Sequence, residues 1–210
     1  SKPTISVAQK SVKDNMPIIT PTATAADVTT FGTNVYRTCF LDPTQGETMA
    51  SYAKEKLGFN TVAVLYDTSD DYSIGIAEAF KAKAESLGMT VTNYEAFTST
   101  DTDFKSQLTK INTSKPEALF IPTYYNTVAL IATQAKEVGV TATLMGADGW
   151  DGTLEAVTEE NRDAIEGCYF TNHYYTQDTD PIVQEFVESY RNAYGKDPIS
   201  FSALGYDSVM

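Results

Sequence analysis

The sequence predicts an α/β fold in which parallel strands are flanked by helices. Short apolar runs alternate with helix-like segments over most of the 210 residues, a pattern of βα units rather than hairpins. Two of these runs, ALFIPTYY (118–125) and ATLMGADG (142–149), enclose a helix-like segment at 127–138 and so make a βαβ unit. Both end on polar or aromatic side chains, and in open α/β sheets ligands sit outside the carboxyl ends of the strands. Tyr124 and Asp148 are therefore aimed at one crevice. A phenol donor beside a carboxylate suits a small zwitterion: the phenol meets its carboxylate, and Asp148 its ammonium. This is a binding site rather than a reaction centre.

The elements follow in order. MPIIT (16–20) is a short strand, and the turn-rich TPTATAAD comes after it. Residues 45–57 (QGETMASYAKEKL) form a helix and TVAVLYD (61–67) a buried strand. A second helix covers about 74–87, with Gly88 as its stop. TVTNYEAF (90–97) is the next strand, and DFKSQLTKIN (103–112) a helix with Phe104, Leu108 and Ile111 at helical spacing. Beyond the central pair, GCYFTNHYY (167–175) is strand-like. PIVQEFVESYRNAYG (181–195) is a helix with Pro181 in its first turn and Gly195 past its end. SFSALGYDSVM reads as a helix cut off in mid-course.

Two joints interrupt the alternation. In VYRTCFLDPTQG (35–46) a strand-like run reaches Pro43 with no helix between, and GCYFTNHYYTQDTDP (167–181) is long and extended. Residues 42–166 lie between them and hold four βα units, enough for a complete lobe. Residues 1–41 and 167–210 then belong to another lobe, which this chain carries only in part. Two lobes joined by extended crossovers make a hinged clamp.

Composition narrows the partners. The 28 acidic and 15 basic residues leave a formal net charge of −13, which disfavours nucleic acid and anionic lipid. No apolar stretch approaches the roughly 20 residues of a transmembrane helix, so no direct membrane insertion is expected of this segment. The opening SKPTISVAQK lacks the apolar core of a signal peptide. Either the protein is cytoplasmic or the numbering begins after processing or truncation.

At this point the chain resembles the solute-binding proteins of branched-chain amino-acid (leucine/isoleucine/valine) ABC transporters, which have a two-lobed type I periplasmic-binding fold. The matching stretches are PIITPTATAADVT (17–29), YRTCFLDPTQG (36–46), VAVLYDTSDDYSIG (62–75), FIPTYYN (120–126), LMGADGW (144–150) and FSALGYDS (201–208). Their order and spacing carry the match. Family members begin with roughly three further βα units and end with another helix and strands, so the sequence looks like an internal fragment.

The resemblance implies a ligand set. Ser1 matches a serine that opens a helix of the first lobe and holds the ligand carboxylate with its hydroxyl and the helix amino end. Thr22, Ala23 and Thr24 match the loop after the next strand. There a backbone carbonyl, at Ala23 or beside it, accepts from the ammonium, and Thr24 offers a hydroxyl and an N–H. Tyr72 matches an aromatic that covers the ligand, Tyr124 the tyrosine that reaches its carboxylate on closure, and Asp148 the acid that pairs with its ammonium. The family carries Glu at that last position; Asp is one methylene shorter, so the ligand must sit deeper or a water must bridge. Trp150, the only tryptophan, would wall the side-chain pocket.

Each position also has a plainer reading. Ser1 suits a helix N-cap and TPTAT a turn. Tyr72 suits a plug at a helix start, and Asp148 an N-cap for a helix over 151–157. Tyr124 and Tyr125 point to opposite faces if extended, so one of them packs; Tyr124 is the one assigned to the site. A lone Trp150 also suits the core.

Catalysis finds little support. His173 is the only histidine and has no nucleophile motif to serve, so a structural role fits it. Asp67, Asp70 and Asp71 crowd one strand end but lack a cation-loop pattern, and helix capping accounts for them. With no GxGxxG, no Walker loop and no His/Cys metal spacing, neither a cofactor nor a metal is expected. Cys39 and Cys168 fall one in each crossover. A disulfide there would tether the hinge, but bridge geometry needs Cα atoms about 4.4–6.8 Å apart, which spacing cannot supply.

The sequence therefore reads as an extracytoplasmic solute-binding protein, periplasmic or a cell-surface lipoprotein, or as a fragment of one. It captures a small amino acid, branched-chain species among the candidates, and delivers it to the membrane permease of an ABC transporter. The rival reading is an amino-acid or amide sensing domain of a receptor or regulator on the same fold.

Overall fold

The computed structural model describes residues 1–210 and divides into two compact units, residues 1–40 with 172–210 and residues 41–171. In chain order, helix α1 (Lys2–Lys13) leads to strands β1 (Ile18–Thr20) and β2 (Val35–Arg37). Helix α2 (Asp42–Glu55), strand β3 (Thr61–Asp67), helix α3 (Asp71–Ser86) and strand β4 (Thr90–Phe97) follow. Next come α4 (Lys105–Ser114), β5 (Ala118–Phe120), α5 (Tyr125–Glu137) and β6 (Thr143–Gly146). The short α6 (Thr153–Ala156), β7 (Tyr169–Phe170), α7 (Pro181–Tyr194) and α8 (Ser200–Asp207) complete the chain.

The larger unit is a five-stranded parallel sheet in the order β4-β3-β5-β6-β7. Its central strands are apolar at successive positions because both faces are covered. Val62 and Val64 of β3, Phe120 of β5 and Met145 of β6 face one layer with Met49 and Ala50 of α2 and Ile76 and Phe80 of α3. Ala63, Leu65, Leu119, Ile121 and Leu144 face the other, with Leu108 and Ile111 of α4 and Val128 and Ile131 of α5. The chain moves outward from β3 to β4 and then returns across the sheet to β5. That reversal puts a topological switch point between β3 and β5, where such sheets open a crevice at their carboxyl ends.

Helix α2 packs closely on α3 through Gly46. A Cβ there would stand 2.5 Å from the Ile76 carbonyl oxygen and 2.7 Å from the Phe80 nitrogen, so only glycine permits the approach.

The smaller unit pairs β1 with β2 in parallel, Ile18 opposite Val35 and Thr20 opposite Arg37. Ala8, Ala23, Ala25, Val28 and Val35 form its apolar cluster. Ile19 and Tyr36 project from the same two strands with more than half their surface exposed, 54% and 53%. Asp180 caps α7 by accepting from the Ile182 N–H at 2.8 Å, and Gly195 ends it in a left-handed conformation (φ 70°).

Several expectations need correction. Helix α2 starts at Asp42, not residue 45, with Pro43 inside its first turn. The strand-like run from residue 35 does pair as a strand, but over 35–37 only. Only residues 118–120 of ALFIPTYY are sheet, and only 169–170 of GCYFTNHYY. Because β7 pairs with β6, the larger unit runs to Thr171. In place of a helix over 151–157 there is a 3₁₀ turn at Asp148–Trp150, then α6, which Gly152 rather than Asp148 precedes.

Candidate functional site

Three loops of the larger unit leave the carboxyl ends of adjacent strands. The loop after β3 enters α3, where the Asp70 carboxylate caps the helix by accepting from the Tyr72 N–H at 3.3 Å. Asp67 accepts from the Ser69 N–H at 2.8 Å and its hydroxyl at 2.5 Å. Turn and cap chemistry thus occupies two of the three clustered aspartates. The loop after β5 places Tyr124 just ahead of α5 with extended backbone (φ −88°, ψ 154°). The loop after β6 carries Asp148.

These endings bring Tyr72, Tyr124 and Asp148 together. Tyr72 is buried, and its hydroxyl donates to Asp148 Oδ1 at 2.6 Å while accepting from the Gly149 N–H at 2.9 Å. Its ring stacks on Tyr124, centroids 4.8 Å apart and planes 19° off parallel. Tyr124 remains 37% exposed, so the stack has one buried and one open member. Tyr125 turns instead toward Gly152. Gly149 lets the three endings converge: a Cβ there would lie 2.9 Å from the Tyr72 hydroxyl, 3.0 Å from the Thr123 carbonyl oxygen and 3.1 Å from the Tyr124 ring.

Electrostatics fixes the protonation of the phenols. Burial, then the Asp148 carboxylate, pushes Tyr72 well above the ordinary phenol range. Burial, then Asp70, Asp148 and Asp42, does the same to Tyr124. Both stay protonated donors at neutral pH. The carboxylates acting on Tyr124 make a negative field, suited to a cation, beside the Tyr124 phenol, able to meet an anion; the Tyr72 proton is already given to Asp148.

Trp150 does not join this group. Its ring lies in the apolar cluster on the opposite face of the sheet from Tyr72, 1% exposed, and its indole N–H donates to the Ile121 carbonyl at 2.7 Å. The expectation that it walls a pocket gives way to a core role, because the polar handle of the indole is spent on backbone.

The smaller unit gathers the other expected residues. Ser1 precedes α1, but its hydroxyl makes no cap to that helix; it accepts from the Ala25 N–H at 3.0 Å. The hydroxyl retains its own proton for donation. Thr22, Ala23 and Thr24 lie in the loop after β1. The Ala23 N–H donates to Thr20 Oγ1 at 3.3 Å, and Thr24 Oγ1 is buried with no hydrogen-bond partner. The Ala23 carbonyl, expected to serve an ammonium, already accepts from Arg37 at 3.0 Å, leaving one lone pair.

Sequence reasoning passed over Arg37 and Gln45, both bonded to the candidate loops. The Arg37 guanidinium donates to the carbonyls of Ala23, Ala25 and Ala26 and to Thr29 Oγ1, at 2.8–3.1 Å, and so fixes the loop. Gln45 Oε1 accepts from the Asp148 N–H and the Thr171 hydroxyl, both at 2.9 Å. His173 stacks on Phe40 with centroids 3.6 Å apart, a packing role. Cys39 and Cys168 are both thiols, and burial pushes Cys168 above its ordinary range.

The family model described as "Periplasmic binding protein" matches residues 1–210. A Leu/Ile/Val-binding protein homologue of Brucella melitensis is 34% identical over 157 residues, 74% of this chain and 42% of that protein. A leucine-, isoleucine-, valine-, threonine- and alanine-binding protein of Pseudomonas aeruginosa is 30% identical over 91% of this chain and 51% of its own length. Among solved structures, a leucine-binding protein of Thermotoga maritima superposes with a TM-score of 0.91 at 37% identity, covering 99% of this chain and 59% of that one. A branched-chain amino-acid binding protein of Streptococcus pneumoniae, in complex with isoleucine, gives a TM-score of 0.85 at 29% identity over 98% and 58%. The chain spans about half the length of these relatives.

Proposed function

The chain belongs to the periplasmic binding protein family, with its type I α/β fold, and from that premise we propose that the full-length protein captures a small amino acid outside the cytoplasm and delivers it to the permease of an ABC transporter. It carries out no chemistry on that ligand. The relatives named for leucine, isoleucine and valine make an aliphatic amino acid the leading candidate.

One observation carries the reading: a buried carboxylate, Asp148, stands at the switch-point end of the sheet beside two tyrosines kept protonated. Asp148 takes the ligand ammonium, a buried carboxylate being the natural partner for a cation. The open Tyr124 donates to the ligand carboxylate. On the smaller unit, Ser1 and the Thr22–Thr24 loop are the groups that the resemblance assigns to the ligand, and the buried Thr24 hydroxyl is a ready donor. Asp148→Asn should weaken binding of L-leucine, L-isoleucine or L-valine by about 1.5–3 kcal/mol, the worth of a hydrogen bond to a charged group. The matching 2-oxo acids should bind far more weakly than the amino acids, as measured by titration calorimetry on the full-length protein. Unchanged affinity in Asp148→Asn would remove Asp148 from the site, and a preference for sugars or amides would overturn the ligand class.

A further inference from the structure

We infer that Gln45 is the positioning residue for Asp148, and through it a determinant of how strictly the site demands an ammonium group; the inference rests on the function proposed above. Residues 148 and 149 are held from two helices at once. Tyr72 of α3 binds the Asp148 carboxylate and the Gly149 N–H, while Gln45 of α2 takes the Asp148 N–H. The Tyr72 bond places one carboxylate oxygen. The second hold, on the main chain of the same residue, fixes the direction from which that side chain leaves the backbone.

The reach of Gln45 depends on packing. Gly46, its neighbour, is what allows α2 to close on the backbone of α3 at Ile76 and Phe80, so the glutamine arrives at the turn on a rigid element. The Asp148 N–H can only donate, so the amide oxygen is the end that faces the turn, and the Thr171 hydroxyl donates to the same oxygen. The other end of the amide, Nε2, is buried with no hydrogen-bond partner. A buried donor left unsatisfied is costly, and a residue present for packing alone would not carry it. The acceptor on its other end is the group that the turn uses.

Two variants of the full-length protein test this. Gln45→Met keeps the volume and removes the acceptor, and Gln45→Glu keeps an acceptor at the same reach. In Gln45→Met, hydrogen exchange at the Asp148 amide should accelerate at least tenfold while amides of β3 hold their protection; Gln45→Glu should restore it. The preference for L-leucine over 4-methyl-2-oxopentanoate should shrink at least tenfold in Gln45→Met. Adding Gln45→Met to Asp148→Asn should then cause little further loss, because both act through one carboxylate. Equal weakening of leucine and the oxo acid, or an Asp148 amide that stays protected, would reduce Gln45 to a packing residue. Failure of the unmodified protein to bind leucine would count against the proposed function, and the exchange measurement would still decide whether Gln45 holds Asp148.

Discussion

The two units fix their loops by different means. The larger one hides its sheet on both faces, and Val62, Ala63, Val64 and Leu65 of β3 are each fully buried. The smaller one has two strands, from which Ile19 and Tyr36 project into solvent, and its long loop after β1 is held by the polar fork of Arg37. Packing dominates the first, whereas in the second a small apolar cluster that includes Ala23, Ala25 and Val28 shares the task with hydrogen bonds. A site residue on the larger unit therefore inherits the stiffness of a packed sheet, whereas one on the smaller unit leans more heavily on polar contacts.

Three substitutions can break or sharpen that contrast. Phe120→Ala, which removes a ring stacked on Phe80 at 4.0 Å, should cost about 3–5 kcal/mol. The loss should appear as lowered exchange protection through β3, β5 and β6 while α1 keeps its own. Equal loss in α1 would mean that the two units unfold as one. Arg37→Met, a smaller change, should destabilise residues 23–29 by about 1.5–3 kcal/mol, the worth of one hydrogen bond to a charged group; partial replacement by water limits the rest. Exchange at the Ala25 amide reads it, and unchanged protection there would show that the Ser1 hydroxyl suffices. Least of all, Ile182→Ser at a position 78% exposed should shift urea unfolding by less than about 0.5 kcal/mol. A loss of 2 kcal/mol or more would show that this face of α7 is covered in solution.

The same contrast marks what the sequence made legible. Strands at 61–67 and 90–97 emerged with their true bounds: the first is an apolar run buried at most positions, and the second a β-branched and aromatic stretch following the helix stop at Gly88. Helix α7 was equally plain from Pro181 and Gly195. Pro43 offers the same first-turn signal for α2, yet the strand-like VYRTCF ahead of it pulled the expected helix start to residue 45. The convergence of Tyr124 and Asp148 was readable from strand endings, and the family resemblance added Tyr72. Trp150 was misplaced because sequence order puts it beside Asp148 while the intervening 3₁₀ turn sends it to the other face. Arg37 and Gln45 had no local signal. A polar residue on a strand or helix acquires its meaning only from atoms that are distant along the chain, here 103 residues away for the bond between Gln45 and Asp148.

The short bond from Tyr72 to Asp148 has a bearing on timing. Both partners belong to one packed unit, so the carboxylate is in position before any ligand arrives. Under the proposed function, capture by this half is then limited by encounter alone, and ligands that share the ammonium group should arrive at similar rates. Under that function, what would separate leucine from its competitors is how long each stays.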